Sequence, residues 1–518
     1  MIKTLTSSFI LLTCSSALAS EIRFESRTAI LPFEHRYEGG WEHFVGGGMA
    51  TFDCNGDQML DAFLAGGKNP SRLIVNTTQR AGGVITFSDG ATDATRLEGV
   101  TGAYPIDIDS DGLIDLFVMR VGENIILRGL PNCQFEEANS AFGFDGLDRW
   151  TASFSATWEA GNILPTLAVG NYVDRDNPDG PFEACDKNQL YRPSGNTYAK
   201  PVDLAPGYCA LSMLISDWTR SGRRDLRISN DRHYYIKKGE EQMWRLDEMR
   251  ALTRDDGWLP ISVWGMGIAS QDLNGDKAPD IMLTSMGDQL VQFYAGGAQM
   301  QNAPFDIGAY AHRPYTGGDG RPSTGWHAEF GDVNNDGLPD LFIAKGNVDQ
   351  MPGMASKDPN NMLVQQPDGK FVEMGLTAGL ANLARSRGAA VADFNLDGRL
   401  DIAVMNRRAP FEIYENVSEA IGNFVALKIQ QPDTNKNAIG AWVELRIGDK
   451  IQTHEITIGG GHASGEIAPV HFGLGAAKQA AFRVLWPDGV SSPWADVTAN
   501  QMLRATRIDQ GSIKLEPF

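Results

Sequence analysis

The nine residues Asp332-Val-Asn-Asn-Asp-Gly-Leu-Pro-Asp340 constrain this chain more than any other stretch. Oxygen-bearing side chains fall at positions 1, 3 and 5 of a tight loop, and a carboxylate follows at position 9. A hard divalent cation such as Ca²⁺ takes six to eight oxygens at about 2.3–2.6 Å, and alternate side chains of a curling loop can converge on one. The position-7 carbonyl (Leu338) adds a backbone oxygen, and Asp340 closes the shell, bidentate by analogy with an EF-hand. Gly337 at position 6 suits a left-handed turn. The flanks, 326–332 and 341–344, read as strands, which makes this a hairpin loop rather than a loop between helices.

The pattern recurs. Asp53, Asn55, Asp57 and Asp61 form one copy, and Asp107, Asp109, Asp111 and Asp115 a second. Asp272, Asn274, Asp276 and Asp280 follow, then Asp332, Asn334, Asp336 and Asp340, then Asp393, Asn395, Asp397 and Asp401. Each copy runs into an apolar segment (AFLA, LFVM, IMLT, LFIA, IAVM). One such match is an ordinary acidic turn; five in this register predict about five Ca²⁺ sites.

The wide gap between the second and third copies holds two degenerate ones. Asp217-Trp-Thr-Arg-Ser-Gly-Arg-Arg-Asp225 keeps positions 1 and 9 and the glycine, with Thr219 and Ser221 between them. Trp158-Glu-Ala-Gly-Asn-Ile-Leu-Pro-Thr166 has no carboxylate at any ligand position. Both are expected to be metal-free, with Arg220, Arg223 and Arg224 supplying charge in the former. Counting these, seven units begin about 57 residues apart. Units of that length cannot bury their own sheet faces, so they pack radially as a β-propeller. The repeats resemble the FG-GAP/VCBS blades also found in the integrin α-subunit propeller. That resemblance places the ion in the hairpin between a blade's first two strands. The expected fold class is therefore all-β: a seven-bladed, integrin-α-like β-propeller over 20–417, then a small C-terminal β domain over 418–518.

Details within this frame can be tested. Gln58 and Lys277 replace the position-6 glycine, at about 1 kcal/mol of backbone strain each. The strand-like segment 21–30 is expected to complete the blade built by 385–417 and so join the ends of the ring. Segments 171–209 and 300–325 read as inserts, and loops of that kind carry recognition. Beyond 418, strands are expected at 423–430, 439–447, 452–458, 471–475 and 482–489, with Gly459-Gly-Gly-His-Ala-Ser464 as a flexible loop. The Ile-Gly-Ala turn, the His471-Phe-Gly-Leu-Gly475 run and the Val-Leu-Trp-Pro-Asp-Gly motif ending at Gly489 resemble the ASPIC/UnbV domain. Signal, blades and domain together look like the bacterial relatives of cartilage acidic protein, without the cysteine-rich EGF-like module of some animal members.

The start of the chain has the parts of a secretory signal: Lys3, the apolar 9–12 run and Ala17-Leu-Ala19, with cleavage expected after Ala19. Cys14 fits a lipobox poorly, because Leu12 and Thr13 precede it. No later run reaches the roughly 18–20 apolar residues of a membrane span. A secreted or periplasmic location follows. Cys54, Cys133, Cys185 and Cys209 remain, allowing three pairings; proximity favours Cys185–Cys209, which leaves Cys54–Cys133. The five loops hold 16 aspartates, and five Ca²⁺ would bring the mature charge from −21 to −11. An acid excess of this kind argues against nucleic-acid or anionic-membrane partners.

No nucleophile elbow, His-Glu-x-x-His motif or P-loop occurs. The eight histidines show no metal-ligand spacing, and His471 reads as a structural hydrogen-bonding residue. His43, Tyr104, Trp264, Trp326, His327, Arg385 and Arg387 lead into the first strands, where they are expected to plug the axial channel or else line a small-ligand pocket. Trp150, Trp158, Trp244 and Trp258 read as inter-blade packing. The expected function is non-enzymatic, a calcium-rigidified module binding an extracellular protein or glycan. The alternatives are a polysaccharide lyase or hydrolase at the propeller axis, and an accessory factor in biosynthesis or surface assembly.

Overall fold

The structure, a computed structural model, describes residues 22–234 and 239–518. The signal-peptide expectation over 1–19 lies outside the described residues. Seven four-stranded antiparallel units follow one another along the chain. Their first strands are Met49–Phe52, Val100–Ile106, Asp148–Thr157, Ala210–Ser216, Gly265–Gln271, Gly325–Gly331 and Arg385–Ala392. The second strands begin on Asp61, Asp115, Thr166, Asp225, Asp280, Asp340 and Asp401, which is position 9 of each motif. The motif is thus the turn of the hairpin between strands one and two in every unit, degenerate copies included.

The fold is all-β and propeller-like. Neighbouring first strands pack side by side around a ring, and the seventh meets the first. Apolar clusters sit between units, not within them: one joins the second and third, others the third and fourth, the fourth and fifth, and so on round. The last unites Ala390, Phe394, Met405 and Ile413 of the seventh unit with the first and second. Trp158, Trp244 and Trp258 are buried in these seams, whereas Trp150 is buried in a separate cluster that gathers Val45, Leu211, Met266 and Trp326 from several units. The ends of the ring are joined by Phe24–Ser26, which pairs antiparallel with Glu412–Asn416 as the outer strand of the seventh unit. Cys54–Cys133 ties the first acidic loop to the second unit, and Cys185–Cys209 ties the third unit to the fourth.

Segment 171–209 is not wholly an insert. It contains Asn188–Tyr191 and Val202–Leu204, the third and fourth strands of the third unit. Glycines and prolines between them hid the alternation. Segment 300–325 opens with the outer strand Met300–Asn302 and continues without a further strand until Gly325–Gly331.

Residues from Asn423 onward form two four-stranded sheets around a core of their own. Asn423–Gln430 pairs in parallel with Gln501–Arg507, a long-range pairing that sequence periodicity cannot announce. Trp442–Ile447 lies between Lys450–Glu455 and Gln479–Leu485 in the other sheet. No helix among the described residues is long and apolar enough to cross a membrane.

Candidate functional site

The five acidic loops share one scaffold of side-chain-to-backbone hydrogen bonds. The position-1 carboxylate accepts the N–H of position 6: Asp53 from Gln58 (3.0 Å), Asp107 from Gly112 (3.0 Å), Asp272 from Lys277 (2.9 Å), Asp332 from Gly337 (2.7 Å) and Asp393 from Gly398 (2.7 Å). The position-5 carboxylate accepts the N–H of position 7 in all five. Asx-type bonds of this kind pre-curl a loop before any ligand arrives.

Position 9 does more than the EF-hand analogy implies. Asp340 accepts the N–H of Val333 at 3.0 Å with one oxygen and that of Gln365, on the third strand, at 2.9 Å with the other. Asp61, Asp115, Asp280 and Asp401 repeat this double acceptance. Each is a buried staple between the loop and the next strand. A bidentate grip on a cation would compete with it, so these residues offer a metal only the lone pairs left over.

Position 6 is left-handed where the glycine is missing: φ is 76° at Gln58 and 73° at Lys277. Position 4 is also left-handed, and there these two loops carry Gly56 and Gly275, while the others carry Ser110, Asn335 and Leu396. The glycine has moved between two equivalent demands, leaving one strained non-glycine residue in each loop.

Burial dominates the electrostatics of these loops. Burial, with neighbouring carboxylates adding to it, pushes Asp61, Asp107 and Asp280 up to about 7 and Asp115 up to about 8. Burial likewise holds Asp340 and Asp401 well above the carboxylate range. In the second loop, oxygens of Asp107, Asp109 and Asp115 lie within 4.8 Å of one another, and Asp107 Oδ1 is buried without a hydrogen-bond partner. That donor set suits a hard divalent ion. Arg128 Nη2 stands 2.5 Å from Asp109 Oδ2, and Arg399 Nη1 2.5 Å from Asp397 Oδ2, so arginines partly neutralise the outer rims.

Gly459–Ser464 is the largest departure from expectation. It is not a flexible loop: it threads the ring axis. Gly460 N–H donates to Met213 O (2.6 Å), Gly461 N–H to Ile268 O (2.7 Å), and Ala156 N–H to Ile458 O (3.1 Å). Gly465–Glu466 then pairs in parallel with Ala50 and Thr51. The approach is so close that a Cβ on Gly48 or Gly102 would fall 1.8 or 2.0 Å from Ala463 O. His462 donates its backbone N–H to His327 Nδ1 (3.0 Å), so Nε2 of His327 carries the proton and faces Glu329 Oε2 at 3.0 Å. Burial lowers both His327 and His462 to about 3. Glu466 lies beside Glu329; burial raises both, and the neighbouring Glu329 carboxylate adds to the rise of Glu466. His327, Glu329 and Glu466 line a cavity of about 1490 Å³ between the loop-bearing face of the ring and the C-terminal sheets.

The sequence matches the family described as FG-GAP-like repeat over 272–343 and 332–404, which spans the fifth to seventh units. Residues 431–512 match ASPIC and UnbV. The chain carries FG-GAP-like repeats and a C-terminal ASPIC and UnbV domain. A search of curated proteins finds no match. Among solved structures, BBS1N in complex with ARL6DN, soaked with mercury, is similar at 9% identity and a TM-score of 0.43, covering 78% of this chain and 99% of that one. A mutant of AofleA from Arthrobotrys oligospora has 12% identity and a TM-score of 0.36, covering 65% and 88%. An Agrocybe aegerita lectin recognising non-reducing terminal N-acetylglucosamine has 16% identity and a TM-score of 0.30, covering 73% and 82%.

Of the residues expected to converge at the axis, the structure brings some together. Trp326 meets His462 at a tilt of 58° (centroids 4.9 Å apart) and lies under the Arg387 guanidinium (4.0 Å), Tyr104 donates to Gly460 O, and His327 meets the plug. Trp264 is 42% exposed, Arg385 is half-exposed beside Asp349, and His43 packs edge-on to Tyr37 at the rim, so these three do not join. The axis is filled mainly by backbone from the ASPIC and UnbV domain. The only sequence signal for this was the triple glycine, which equally describes a mobile linker. His471 accepts its structural role: its Nε2 meets Asn335 Oδ1 at 2.6 Å across the domain junction.

Proposed function

We propose that this chain is a calcium-stabilised propeller that works as a binding module outside the cytoplasm, for an extracellular protein or glycan. The observation that carries the calcium assignment is the second loop, where three aspartates converge and one buried oxygen has no partner. Four further loops share its hydrogen-bonding scaffold. The metals are structural in this reading: each offsets repulsion among buried carboxylates and fixes a hairpin turn. Two disulfides suit an oxidising compartment. The plug occupies the axial channel with backbone, so this reading places no reaction within that channel.

Metal analysis of the purified chain, dialysed against buffer containing about millimolar Ca²⁺, tests the assignment. About five calcium ions per chain are expected, and the Asp107→Asn, Asp109→Asn double variant should lose one. A chain that retains no calcium above the buffer level would sink the reading.

A further inference from the structure

At the mouth of the ring away from the acidic loops, four aromatic rings form a closed box. Trp41 meets Trp150 with centroids 4.9 Å apart at 79°, and Trp150 meets Tyr172 at 4.9 Å and 77°. Tyr172 meets Tyr234 at 5.6 Å and 77°, and Tyr234 returns to Trp41 at 6.4 Å and 87°. Each wall stands nearly perpendicular to the next. Trp41 Nε1 donates to Tyr234 Oη at 2.8 Å, and Tyr172 donates its hydroxyl to Asp231, which fixes the walls in place. Together with Trp326, these residues line a cavity of about 120 Å³ whose remaining wall is largely methionine and valine.

The location follows from topology. Trp150 and Trp326 lie near the starts of first strands, and Tyr172 and Asp231 just beyond the ends of second strands, opposite to the turns that join them. The four walls come from three separate parts of the chain, so no local motif marks the box.

We propose that this box binds the quaternary-ammonium group of a small soluble compound. Aromatic faces attract a cation through their quadrupoles, most strongly when the site is desolvated. Asp231 adds a buried carboxylate at the wall. Methyl groups on nitrogen suit the apolar remainder of the lining, which among the described residues is mainly valine and methionine. The volume is far below the roughly 300–1,000 Å³ of drug-sized sites, so it accommodates a headgroup and not a sugar ring with its neighbours. Trp150 Nε1–H is buried and has no hydrogen-bond partner, which leaves a donor for an oxygen on the same ligand. The site lies away from the calcium loops and does not depend on how they are occupied.

Calorimetric titration of the full chain in calcium buffer tests this with choline and with 3,3-dimethylbutan-1-ol, which puts carbon in place of the charged nitrogen. Choline should saturate a single site, and the neutral isostere should bind weaker by about tenfold or more. Trp41 is 38% exposed at the rim, so Trp41→Ala should preserve the fold and the calcium content while weakening choline by about tenfold or more. Phosphatidylcholine vesicles that displace choline would assign the same chemistry to a lipid headgroup. Equal affinity for choline and its isostere, or no saturable choline binding, would overturn the inference, and this comparison stands even if the Trp41 variant does not fold.

Discussion

The five acidic loops and the two degenerate ones occupy the same hairpin turn, yet they hold it in different ways. In the sixth unit, Asp332 curls the loop and Asp340 staples it to the third strand, leaving buried carboxyls that a cation would neutralise. In the fourth unit the curl survives, because Asp217 still accepts from Ser221 (2.9 Å) and Gly222 (2.7 Å). The staple does not: Asp225 Oδ1 is buried without a partner, and Oδ2 meets only Arg223, at 3.3 Å. The other two arginines have left the loop. Arg220 reaches Glu444 at 2.7 Å and lies over Trp442, while Arg224 donates to the carbonyls of Gly440 and Pro487. This loop docks the C-terminal domain. In the third unit the turn is held by packing, with Trp158 buried and its indole N–H on Ile163 O.

Chelation should separate the two classes most strongly. In EGTA the melting temperature should fall by a multi-site amount, since each bound ion contributes by mass action. Substitutions in 217–225 should leave that fall unchanged; an unaltered melt in EGTA would erase the distinction altogether. The staple gives the next largest effect. Asp340→Ala strands two buried N–H groups and should cost about 2–5 kcal/mol in denaturant unfolding, whereas Asp225→Ala should cost clearly less. Equal losses would show that the staple is not what differs. Combining Arg220→Ala with Arg224→Ala removes a buried ion pair and two carbonyl bonds at the junction. It should cost about 2–4 kcal/mol and open the 417–423 linker to protease, with calcium content unchanged. Loss of calcium in that variant would mean that docking and metal binding are one event. The smallest effect belongs to backbone strain. Gln58→Gly or Lys277→Gly should stabilise by about 0.5–1 kcal/mol, while Gly337→Ala should destabilise by a similar amount.

The acidic motif was readable because its function is local: side chains two residues apart curl their own backbone, and the following apolar run begins the next strand at position 9. The ring closure by 24–26 was readable too, since an isolated strand at one end matched a unit short of one at the other. The sequence hid whatever depended on partners far along the chain. Position 4 shares the left-handed demand of position 6, but one sees this only when the glycine is watched moving between them across loops. The Asp340 bond to Gln365 spans 25 residues and looks like metal ligation until the third strand is in place. Trp41, Trp150, Tyr172 and Tyr234 are scattered aromatics in the sequence, and His43, Trp264 and Arg385 looked equally well placed for the axis.

What the sequence by itself determined is the repeating hairpin, its acidic turn and the number of such turns, because short-range hydrogen bonds and strand periodicity are written in neighbouring residues. The tertiary structure alone decided that Gly459–Ser464 fills the axis, that Arg220 and Arg224 bridge two domains, and that four rings meet in a box. These rest on close approach between segments hundreds of residues apart. Only the closed ring brings them within hydrogen-bond and van der Waals range.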